Sequence, residues 1–348
     1  MARNLLWASL ALAPVVFLLK WVVGAGDVLL FTLSAAALIP LAWLIGEATE
    51  HAGEHTGPGI GGFLNATFGN APELIIALLA VNQGLPNVVR GSLAGSVVSN
   101  ILLVLGAALF LGRDARIDRR SLLLQLGLVF LATLAFLVPS IPGWHGNPDR
   151  HSLAVLSLPV SIVLLLVYGA VIIGNLRRHR REHQEAETEA HQAAWSFPVS
   201  LVVLGITTVA TAFVSEILVH SLTHFAEAAH LSEFFLSAVV VAIVGNAAEH
   251  GGAIVIARRG KMRLATEIAV SSSAQVAMLV VPAVCLLSFV VKPALPLAFR
   301  PIELVAMGAS ALFVAFVLRD GKVHRWEGAL LIGVYAGFVV AFGFAGDR

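Results

Sequence analysis

The sequence predicts an all-α integral membrane protein with about eleven transmembrane helices that include an inverted repeat. Three observations support this prediction: the composition, the spacing of the apolar segments, and a short motif that occurs twice. Of the 348 residues, 58% are hydrophobic and 12% are charged, whereas about a quarter of the residues in soluble globular proteins are charged. Such a chain has too few polar groups to cover a surface in water, so we expect lipid to surround most of it.

A helix that spans a bilayer needs roughly 20 predominantly apolar residues, and eleven segments of the chain meet this requirement. The first segment is long enough to span and lacks a small-residue cleavage site, so we expect a retained helix rather than a cleaved signal. The predicted spans are residues 5–23, 28–46, 66–84, 92–112, 121–141, 152–174, 197–219, 233–257, 264–291, 301–318 and 326–345.

Most basic residues fall in alternate connections between these spans. If Arg3 and the N-terminus are cytoplasmic, sixteen Lys and Arg residues lie on the cytoplasmic side and six lie outside. Cytoplasmic loops are enriched in Lys and Arg, so this bias predicts a cytoplasmic N-terminus and an outside C-terminus. The cytoplasmic clusters that follow the first span are Arg113, Arg116, Arg119 and Arg120; Arg177, Arg178, Arg180 and Arg181; Arg258, Arg259, Lys261 and Arg263; and Arg319, Lys322 and Arg325.

One long polar insert, residues 177–194, follows the sixth predicted span and changes from basic to acidic along its length. We interpret it as a solvated cytoplasmic linker, with an acidic regulatory segment as the alternative. The single cysteine, Cys285, excludes an intramolecular disulfide.

The repeated motif reads Gly-Asn-Ala-Pro-Glu at residues 69–73 and Gly-Asn-Ala-Ala-Glu-His at residues 245–250. The copies align without gaps at an offset of 176 residues (249 − 73), which pairs Asn70 with Asn246 and Glu73 with Glu249. They fall on the third and eighth predicted spans, and an odd separation means that the two copies cross the membrane in opposite directions. The sequence therefore predicts an inverted repeat, an architecture that places binding sites near the middle of the membrane.

The spacing Asn-x-x-Glu also matches a helix capping box, which is the structural alternative to a binding site. Within a span, however, an ionisable side chain costs roughly 3 to more than 10 kcal/mol, and a cap could use a neutral residue. Two such acids at matched positions favour a functional role. Gly69 and Pro72 are expected to interrupt the helix and leave a carbonyl group for an ion.

The chemistry of the motif suits a hard cation. Each Asn and Glu lie three residues apart and share one helix face, so two facing repeats would bring two carboxylates and two amide oxygens together. Such oxygen donors suit Ca²⁺, which takes six to eight oxygen ligands. The polar residues that could complete or orient the shell are Ser96, Ser99, Asn100, Ser272 and Gln275. For the serines, close helix packing is an equally good explanation.

Protons would compete for the same oxygens. Without a metal ion, two carboxylates in one low-dielectric cavity are expected to hold protons and to titrate jointly. The site can hold a metal ion or protons but not both, which is the competition that an antiporter requires.

Four stretches, "GFLNATFGNAPELIIALLAV", "GSLAGSVVSNILLVLG", "VGNAAEHGGAIVIARRGKM" and "SSSAQVAMLVVP", resemble the repeat signatures of the Ca²⁺/H⁺ (cation/proton) exchangers of the Ca²⁺:cation antiporter superfamily. The resemblance covers essentially the whole chain. It implies a peripheral first helix (residues 1–27), a first repeat of five spans (28–176), the linker (177–196) and a second repeat of five spans (197–348).

The resemblance also implies roles for individual residues. Glu73 and Glu249 would be the shared Ca²⁺ and proton sites, with Asn70 and Asn246 beside them. We include Ser99 and Gln275 in the metal site, and the resemblance places Glu50, Glu216 and His250 on the ion or proton pathway. The sequence departs from the family pattern at Arg263, where an acid is expected.

The expected function is therefore Ca²⁺/H⁺ antiport with Ca²⁺ as the transported substrate and no cofactor; Na⁺, K⁺ or Mn²⁺ are the alternative cations. We expect a multi-pass protein of a bacterial or archaeal cell membrane, with the bilayer and the two ions as partners and no nucleic acid. A homo-oligomer is left open.

Two other classes of protein compete with this interpretation. His51-x-x-Glu54-His55 matches an inverted zinc-peptidase motif, which would make the chain a membrane metallopeptidase, but this alternative leaves the repeated motif unexplained. An acidic, titratable vestibule or an exposed helix end explains these residues as well. A cation channel is the other rival, but opposed half-sites in one chain suit a carrier better than a symmetric pore.

Overall fold

The computed structural model describes residues 2–183 and 195–347, so most of the acidic half of the linker, residues 184–194, lies outside the described residues. The described chain is almost entirely helical. The helices are α1 Asn4–Val23, α2 Asp27–Phe68, α3 Ala71–Asn82, α4 Pro86–Leu111, α5 Arg119–Gly143, α6 His151–His183, α7 Phe197–Ala229, α8 Glu233–Gly245, α9 Ala247–Arg258, α10 Met262–Val291, α11 Pro301–Val317 and α12 Arg325–Ala345. Two short strands, β1 Ala115–Arg116 and β2 Lys322–Val323, pair antiparallel.

The predicted helical membrane fold is confirmed. Within the described residues, eight helices are long and apolar enough to cross a membrane. Helices α8 and α9 pass the same test only as a pair, bent by 59°. Helices α3 and α11, with 12 and 17 residues, are apolar but shorter than a full span. The exact count of eleven spans stays a prediction, because these three segments are broken or short.

Both copies of the motif interrupt a helix. The backbone leaves the helical region at Asn70 (φ −100°, ψ 16°) and again at Asn246 (φ −92°, ψ 11°). Pro72 then stands in the first turn of α3, where its missing N–H would have had no helical partner. The interruption expected from Gly69 and Pro72 therefore falls at the asparagine of each copy.

The offset of the motif extends to the helices around it. Helices α3 and α9 begin at Ala71 and Ala247 and end at Asn82 and Arg258, in both cases 176 residues apart (247 − 71 and 258 − 82). The Ser273 hydroxyl donates to the Val97 carbonyl over 3.0 Å, and these residues are themselves separated by 176 positions. In a protein with two related halves, residues at equivalent positions contact each other where the axis that relates the halves passes between them.

Helix α2 folds back on itself near its C-terminal end. A Cβ atom on Gly61 would lie 3.0 Å from the Cα atom of Gly53. Eight residues along a straight helix span about 12 Å, so the chain reverses between these glycines. The last part of α2 thereby reaches Asn70 as a separate segment, matching the position of α8 before Asn246.

Helix α8 packs closely on α4 at two glycines of α4. A Cβ atom on Gly95 of α4 would lie 2.7 Å from the Cα atom of Ala238, and Gly91 contacts Phe234 and Ser237 of α8. Glycine is required at this crossing because any side chain at Gly95 would overlap the backbone of α8. This contact brings Gly245, at the end of α8, against the first copy of the motif.

Different contacts connect the elements at the two ends of the molecule. At one end, strands β1 and β2 join the α4–α5 connection to the α11–α12 connection, and Arg263 forms an ion pair of 3.0 Å with Asp118. The arginine found in place of the family's acid thus has an acid as its partner. At the other end, the Asp347 carboxylate accepts the N–H groups of Glu233 and Phe234, the first residues of α8, over 3.1 and 2.9 Å.

Candidate ion-binding site

Glu73 is buried in the interior, with 6% of its surface exposed. It lies in the first turn of α3, directly after the break at Asn70. A Cβ atom on Gly245 would lie 3.4 Å from Oε1 of Glu73, so the first acid packs against the motif of the second half. A small space beside it is lined by Ser92, Ser96 and Val241.

Glu249 occupies the equivalent position on α9 and is half-buried. It lines a cavity of about 790 Å³ that opens at the end of the molecule where α2 folds back. Glu249 stands four residues after Gly245, which packs against Glu73, so the second copy of the motif lies against the first acid. The cavity reaches Glu249, whereas Glu73 is not among its lining residues. The residues that line the cavity are Ala42, Trp43, Gly46, Glu47, Thr49, Glu50, Gly53, Glu54, Gly61, Asn65, Gly69, Ala248, Glu249, Gly252, Ile256, Leu264 and Ile268.

Each acid retains an unused oxygen. Within the described residues, Oε2 of Glu73 and Oε2 of Glu249 are buried and have no hydrogen-bond partner. A buried carboxylate oxygen without a protein partner is available to bind a proton, a water molecule or a cation. This is the donor chemistry that a hard cation requires.

Asn246 bridges the two halves of the chain. Its amide Nδ2 donates to Oγ of Ser96 and to the carbonyl of Ala242, in both cases over 2.8 Å. Its Oδ1 accepts from Nδ2 of Asn100 over 3.1 Å. All the polar atoms of this side chain are therefore engaged, which fixes its orientation.

Asn100 connects the remaining polar groups of the second motif. Its Nδ2 also donates to Oγ of Ser272 over 2.8 Å, and Ser272 lies beside Glu249. The Oδ1 atom of Asn100 lies 2.9 Å from Nε2 of His250. Because this oxygen can only accept, Nε2 of His250 is the donor, which assigns the ring tautomer.

The first motif has a simpler environment. Nδ2 of Asn70 donates to Oε1 of Gln275 over 2.7 Å, so these two residues, each predicted separately for the metal site, contact one another across the two halves. The hydroxyl of Ser99 donates to the carbonyl of Ser96 in its own helix, over 3.2 Å. Ser99 is fully buried, and a hydroxyl bonded within its own helix agrees with the alternative given for the serines, which is close helix packing.

The two half-sites are not equivalent. At the offset of 176 residues, the counterpart of Asn100 is Val276 (100 + 176), and the counterpart of His250 is Leu74 (250 − 176). The hydrogen-bond network around Glu249 therefore has no equivalent around Glu73. The helices of the two halves are arranged symmetrically, but the polar contacts are concentrated around Glu249.

The predicted pathway residues lie in different places. His250 is buried in the network just described, and Glu50 is exposed and lines the cavity that leads to Glu249. Glu216 is exposed on α7 and is not one of the residues lining that cavity. The roles of these three residues stay predictions.

The histidines of the peptidase-like motif have other partners. His55 contacts the carbonyl of Trp195 through Nε2 over 2.8 Å, and the His51 ring lies 4.8 Å from the Trp195 ring. The two nitrogens of His51 face Glu47 and Glu54 at 3.8 and 3.4 Å. Within the described residues, no group of three or more His, Cys, Asp or Glu side chains is arranged to hold a metal ion.

Three residues of this network, Ser96, Asn100 and Ser272, are candidates in the sequence for completing or orienting the shell. They stand outside the predicted metal site, which includes Ser99 and Gln275 instead. The signal for Asn100 was available: it is the one amide in the stretch "GSLAGSVVSN". Because its counterpart is apolar, an argument from repeat symmetry could not select it.

A helical fold with an acid at each of two paired helix breaks defines a class of multi-pass membrane proteins that bind and transport cations. The chain belongs to the sodium/calcium exchanger protein family, which matches residues 26–177 and 199–344. The resemblance inferred from the motifs is thereby confirmed at the level of the family.

Individual relatives agree with this assignment. The Ca²⁺/H⁺ antiporter ChaA of Bacillus subtilis is 38% identical over 353 residues, covering 97% of this chain and 96% of the relative. Vacuolar cation/proton exchanger 1 of Arabidopsis thaliana is 36% identical and covers 93% of this chain and 74% of its own. These relatives are transporters rather than enzymes.

Solved structures share the fold. The structure of native YfkE aligns with a TM-score of 0.82 and 35% identity, covering 99% of this chain and 100% of that chain. The H⁺/Ca²⁺ exchanger CAX aligns with a TM-score of 0.75 over 99% of this chain and 91% of that chain. At 18% identity, the second comparison supports the fold alone.

Proposed function

We propose that this chain exchanges Ca²⁺ for H⁺ across a membrane by alternating access, with Glu73 and Glu249 as the site that both ions share. The observation that carries the proposal is the pair of buried carboxylate oxygens without partners, one on each acid. Relatives that are named Ca²⁺/H⁺ antiporters support the choice of ions. Ca²⁺ is the transported substrate, and no cofactor is required.

The proposed ligands come from both halves of the chain. Glu73 and Glu249 supply two negative charges, which neutralise one divalent ion. Asn70 and Asn246 lie at the two helix breaks, and Gln275 holds Asn70 across the interface. Ser99 is a proposed ligand too: its hydroxyl donates its hydrogen to the Ser96 carbonyl, which leaves the oxygen lone pairs for a cation.

We further propose that residues 28–176 and 197–348 are inverted repeats with residues 1–27 as a peripheral helix. The equal offset of the helix ends and the contact between Ser273 and Val97 support this division. In this scheme the halves rock against one another about that contact, and the shared site is exposed to each side in turn.

The cavity suggests which state the structure represents. It opens at the end that carries the basic connections, which the bias in Lys and Arg places in the cytoplasm. The opposite end is closed by the packing of α8 on α4. We therefore propose an inward-facing state in which cytoplasmic Ca²⁺ first meets Glu249. In the return step, protons from the outside occupy the two acids.

The setting of the protein follows from the same arguments. We propose a bacterial or archaeal cell membrane, with the N-terminus in the cytoplasm and the C-terminus outside. A homo-oligomer is the alternative to a monomer in the bilayer, and cross-linking in native membranes distinguishes the two. Glu50, Glu216 and His250 are proposed as pathway residues, and of these Glu50 and His250 lie beside the cavity or the network that leads to Glu249.

The experiment uses everted vesicles that hold a pH gradient, acid inside. Addition of Ca²⁺ is expected to make the vesicle interior more alkaline with the wild-type chain, because each Ca²⁺ enters in exchange for protons. Glu73→Gln and Glu249→Gln each remove a charge and an exchangeable proton, so exchange should fall to the background of empty vesicles. Glu227→Gln, which changes an exposed acid on α7, is the matched control and should retain exchange.

Two outcomes would contradict the proposal. Exchange that persists in either glutamine variant, with normal folding by size-exclusion chromatography, would remove that acid from the site. Exchange with Na⁺, K⁺ or Mn²⁺ but not with Ca²⁺ would retain the site and replace the cation. A competition series with these four cations in the same vesicles therefore separates the site from its substrate.

A further inference from the structure

The β1–β2 ribbon presents two basic side chains to the outside. Its register places Arg116 directly opposite Lys322 and Ala115 directly opposite Val323. Val323 is buried against the protein, whereas Arg116 and Lys322 are both exposed. Because residues that are directly opposite in an antiparallel pair share one face of the sheet, both cations lie side by side on the outer face of the ribbon.

Like charges directly opposite one another destabilise a strand pair. The neighbouring acids Asp114, Asp118 and Asp320 offset only part of this charge, because the two connections carry seven basic residues. Asp118 accepts from Arg263 and from the backbone of α5, and Asp114 lies 3.2 Å from His324. One carboxylate oxygen of Asp320 accepts the backbone N–H of Lys322. The outer face of the ribbon therefore has a surplus of positive charge.

The surplus extends around the ribbon. The exposed basic residues of the two connections are Arg113, Arg116, Arg119, Arg120, Arg319, Lys322 and Arg325. Arg119 packs beside Gly321, whose Cβ position lies 3.4 Å from that of Arg119, so the two connections form one surface. An anion that reaches this surface meets groups from both halves of the chain.

Exposed aromatic side chains near the ribbon indicate how deep this surface lies in the membrane. Phe316, Trp326 and Phe110 are 62%, 63% and 42% exposed in the isolated chain, at the ends of α11, α12 and α4. Arg319 lies over the ring of Phe316 at 4.6 Å, and Arg325 lies over the ring of Phe110 at 5.8 Å. Trp is enriched at the interface between the hydrocarbon and the headgroups, so the exposed Trp326 favours headgroup depth for the ribbon.

We propose that the outer face of the β1–β2 ribbon binds the phosphate of an anionic phospholipid, with Arg116 and Lys322 as its principal contacts. Arginine offers two parallel N–H donors to phosphate oxygens, and lysine adds a mobile point charge. A phospholipid is favoured over a soluble phosphate because its acyl chains would lie beside the exposed aromatic side chains. The bound lipid would join the α4–α5 connection to the α11–α12 connection.

The test compares two double variants of the full chain. Arg116→Gln with Lys322→Gln removes both proposed contacts, and Arg258→Gln with Arg259→Gln removes the same charge from the α9–α10 connection at the same end. Purified proteins are titrated with phosphatidylglycerol or phosphatidylcholine, and retained lipid is counted by native mass spectrometry. We expect the ribbon variant to bind phosphatidylglycerol about ten- to thirtyfold more weakly than wild type, as two lost cations predict. The control should change by less than about threefold.

Three results would overturn the proposal. Equal weakening in both double variants would mean a diffuse basic surface that serves only to orient the chain. Equal retention of phosphatidylcholine would exclude recognition of the anion. Displacement of the lipid by millimolar inorganic phosphate would assign the surface to a soluble anion. If the double variant is not folded, Lys322→Gln alone should give about a three- to fivefold loss on the same scale.

Discussion

Asn100 is the residue on which the second half-site depends. It donates both amide hydrogens, to Asn246 and Ser272, and accepts from His250, and all three partners belong to the second half of the chain. Asn100 itself comes from the first half, so it orients groups across the interface that must open and close. Residues that orient metal ligands in this way commonly change metal affinity when they are substituted.

Substitution Asn100→Val gives this position the residue of its counterpart, Val276. We expect the Ca²⁺ concentration for half-maximal exchange to rise about ten- to a hundredfold, because Asn246 and Ser272 lose the donor that orients them. The measurement is the Ca²⁺ dependence of alkalinisation in everted vesicles. Ser221→Ala, which removes a buried hydroxyl bonded to the Ile217 carbonyl within α7, is the control and should have a small effect. Similar affinities for both variants would mean that the network is not part of the site.

Asp118 lies outside the membrane-spanning helices and provides a prediction for pH. The backbone N–H groups of Ser121 and Arg120, with Arg263 beside them, hold the pKa of Asp118 below its ordinary value. A lowered pKa in the folded state stabilises the protein above the ordinary pKa of about 3.8, and this contribution is lost as the pH falls through the folded value. Acidification should therefore weaken the start of α5.

The measurement is the thermal unfolding midpoint in detergent from pH 7 to pH 3. Asp118→Asn keeps a good helix cap but has no charge to titrate, so its midpoint should depend less on pH than that of the wild type. Parallel curves for the two proteins would show that Asp118 does not contribute to the acid sensitivity.

Much of the candidate site could be predicted from residue types and spacing. Asn70 contacts Gln275, and Glu73 packs against Gly245 of the second copy of the motif, as expected if the two repeats face one another. The alignment could not reveal that Asn246 bonds to Ser96 instead of Ser99, since the two halves differ in their side chains. The alignment also could not distinguish a serine that faces a neighbouring helix from a serine that bonds to the backbone of its own helix.

At the scale of elements, the crossing of α4 and α8 determines how closely the two halves approach. A Cβ atom on Gly95 would lie only 2.1 Å from the carbonyl oxygen of Ala238. Backbone atoms cannot move away as a flexible side chain can, so the helices themselves would have to separate. Gly245, at the end of α8, would then lose its contact with Glu73.

Gly95→Ala is therefore expected to lower the thermal midpoint by several degrees and to reduce exchange strongly, at a cost of about 1–3 kcal/mol or more for overpacking. Gly127→Ala is the matched control, because a Cβ atom on Gly127 of α5 meets nothing within 4 Å. In a helix interior that change stabilises by up to about 1 kcal/mol. An equal response of the two variants, by fluorescence-detected size-exclusion chromatography after heating, would contradict the importance of the crossing.

The apolar segments predicted most of the helices but not their continuity. Hydropathy predicts one span over residues 66–84, and only Gly69 and Pro72 indicate the break at Asn70, after which the chain continues as the 12-residue α3. Hydropathy averages over a window of about 19 residues, so a break of one or two residues within an apolar stretch leaves little trace. The return of the chain between Gly53 and Gly61 was missed for a different reason: contact between two glycine backbones has no periodic signature.

At the scale of the whole molecule, the orientation in the membrane remains to be measured. The only cysteine within the described residues, Cys285, is buried, so Cys285→Ala provides a background for labelling. We expect Arg113→Cys, in the α4–α5 connection, to react with an impermeant maleimide only in inverted vesicles. His145→Cys, in the α5–α6 connection, should react only in right-side-out vesicles.

Both positions are exposed in the structure, so a lack of reaction in either orientation would be caused by the membrane and not by burial. The reverse pattern would place the 790 Å³ cavity on the outside and make the structure an outward-facing state. The inverted-repeat division would survive that result, whereas the proposed direction of Ca²⁺ loading would not.

The unequal half-sites have a kinetic consequence. Asn100 and His250 hold the surroundings of one acid in place, while Val276 and Leu74 leave the other acid without such support. Loading from the two faces of the bilayer therefore crosses barriers of different height, although ion gradients alone determine where net flux stops. Reversing the gradients should make the exchanger run backwards at a different speed, with the same balance point.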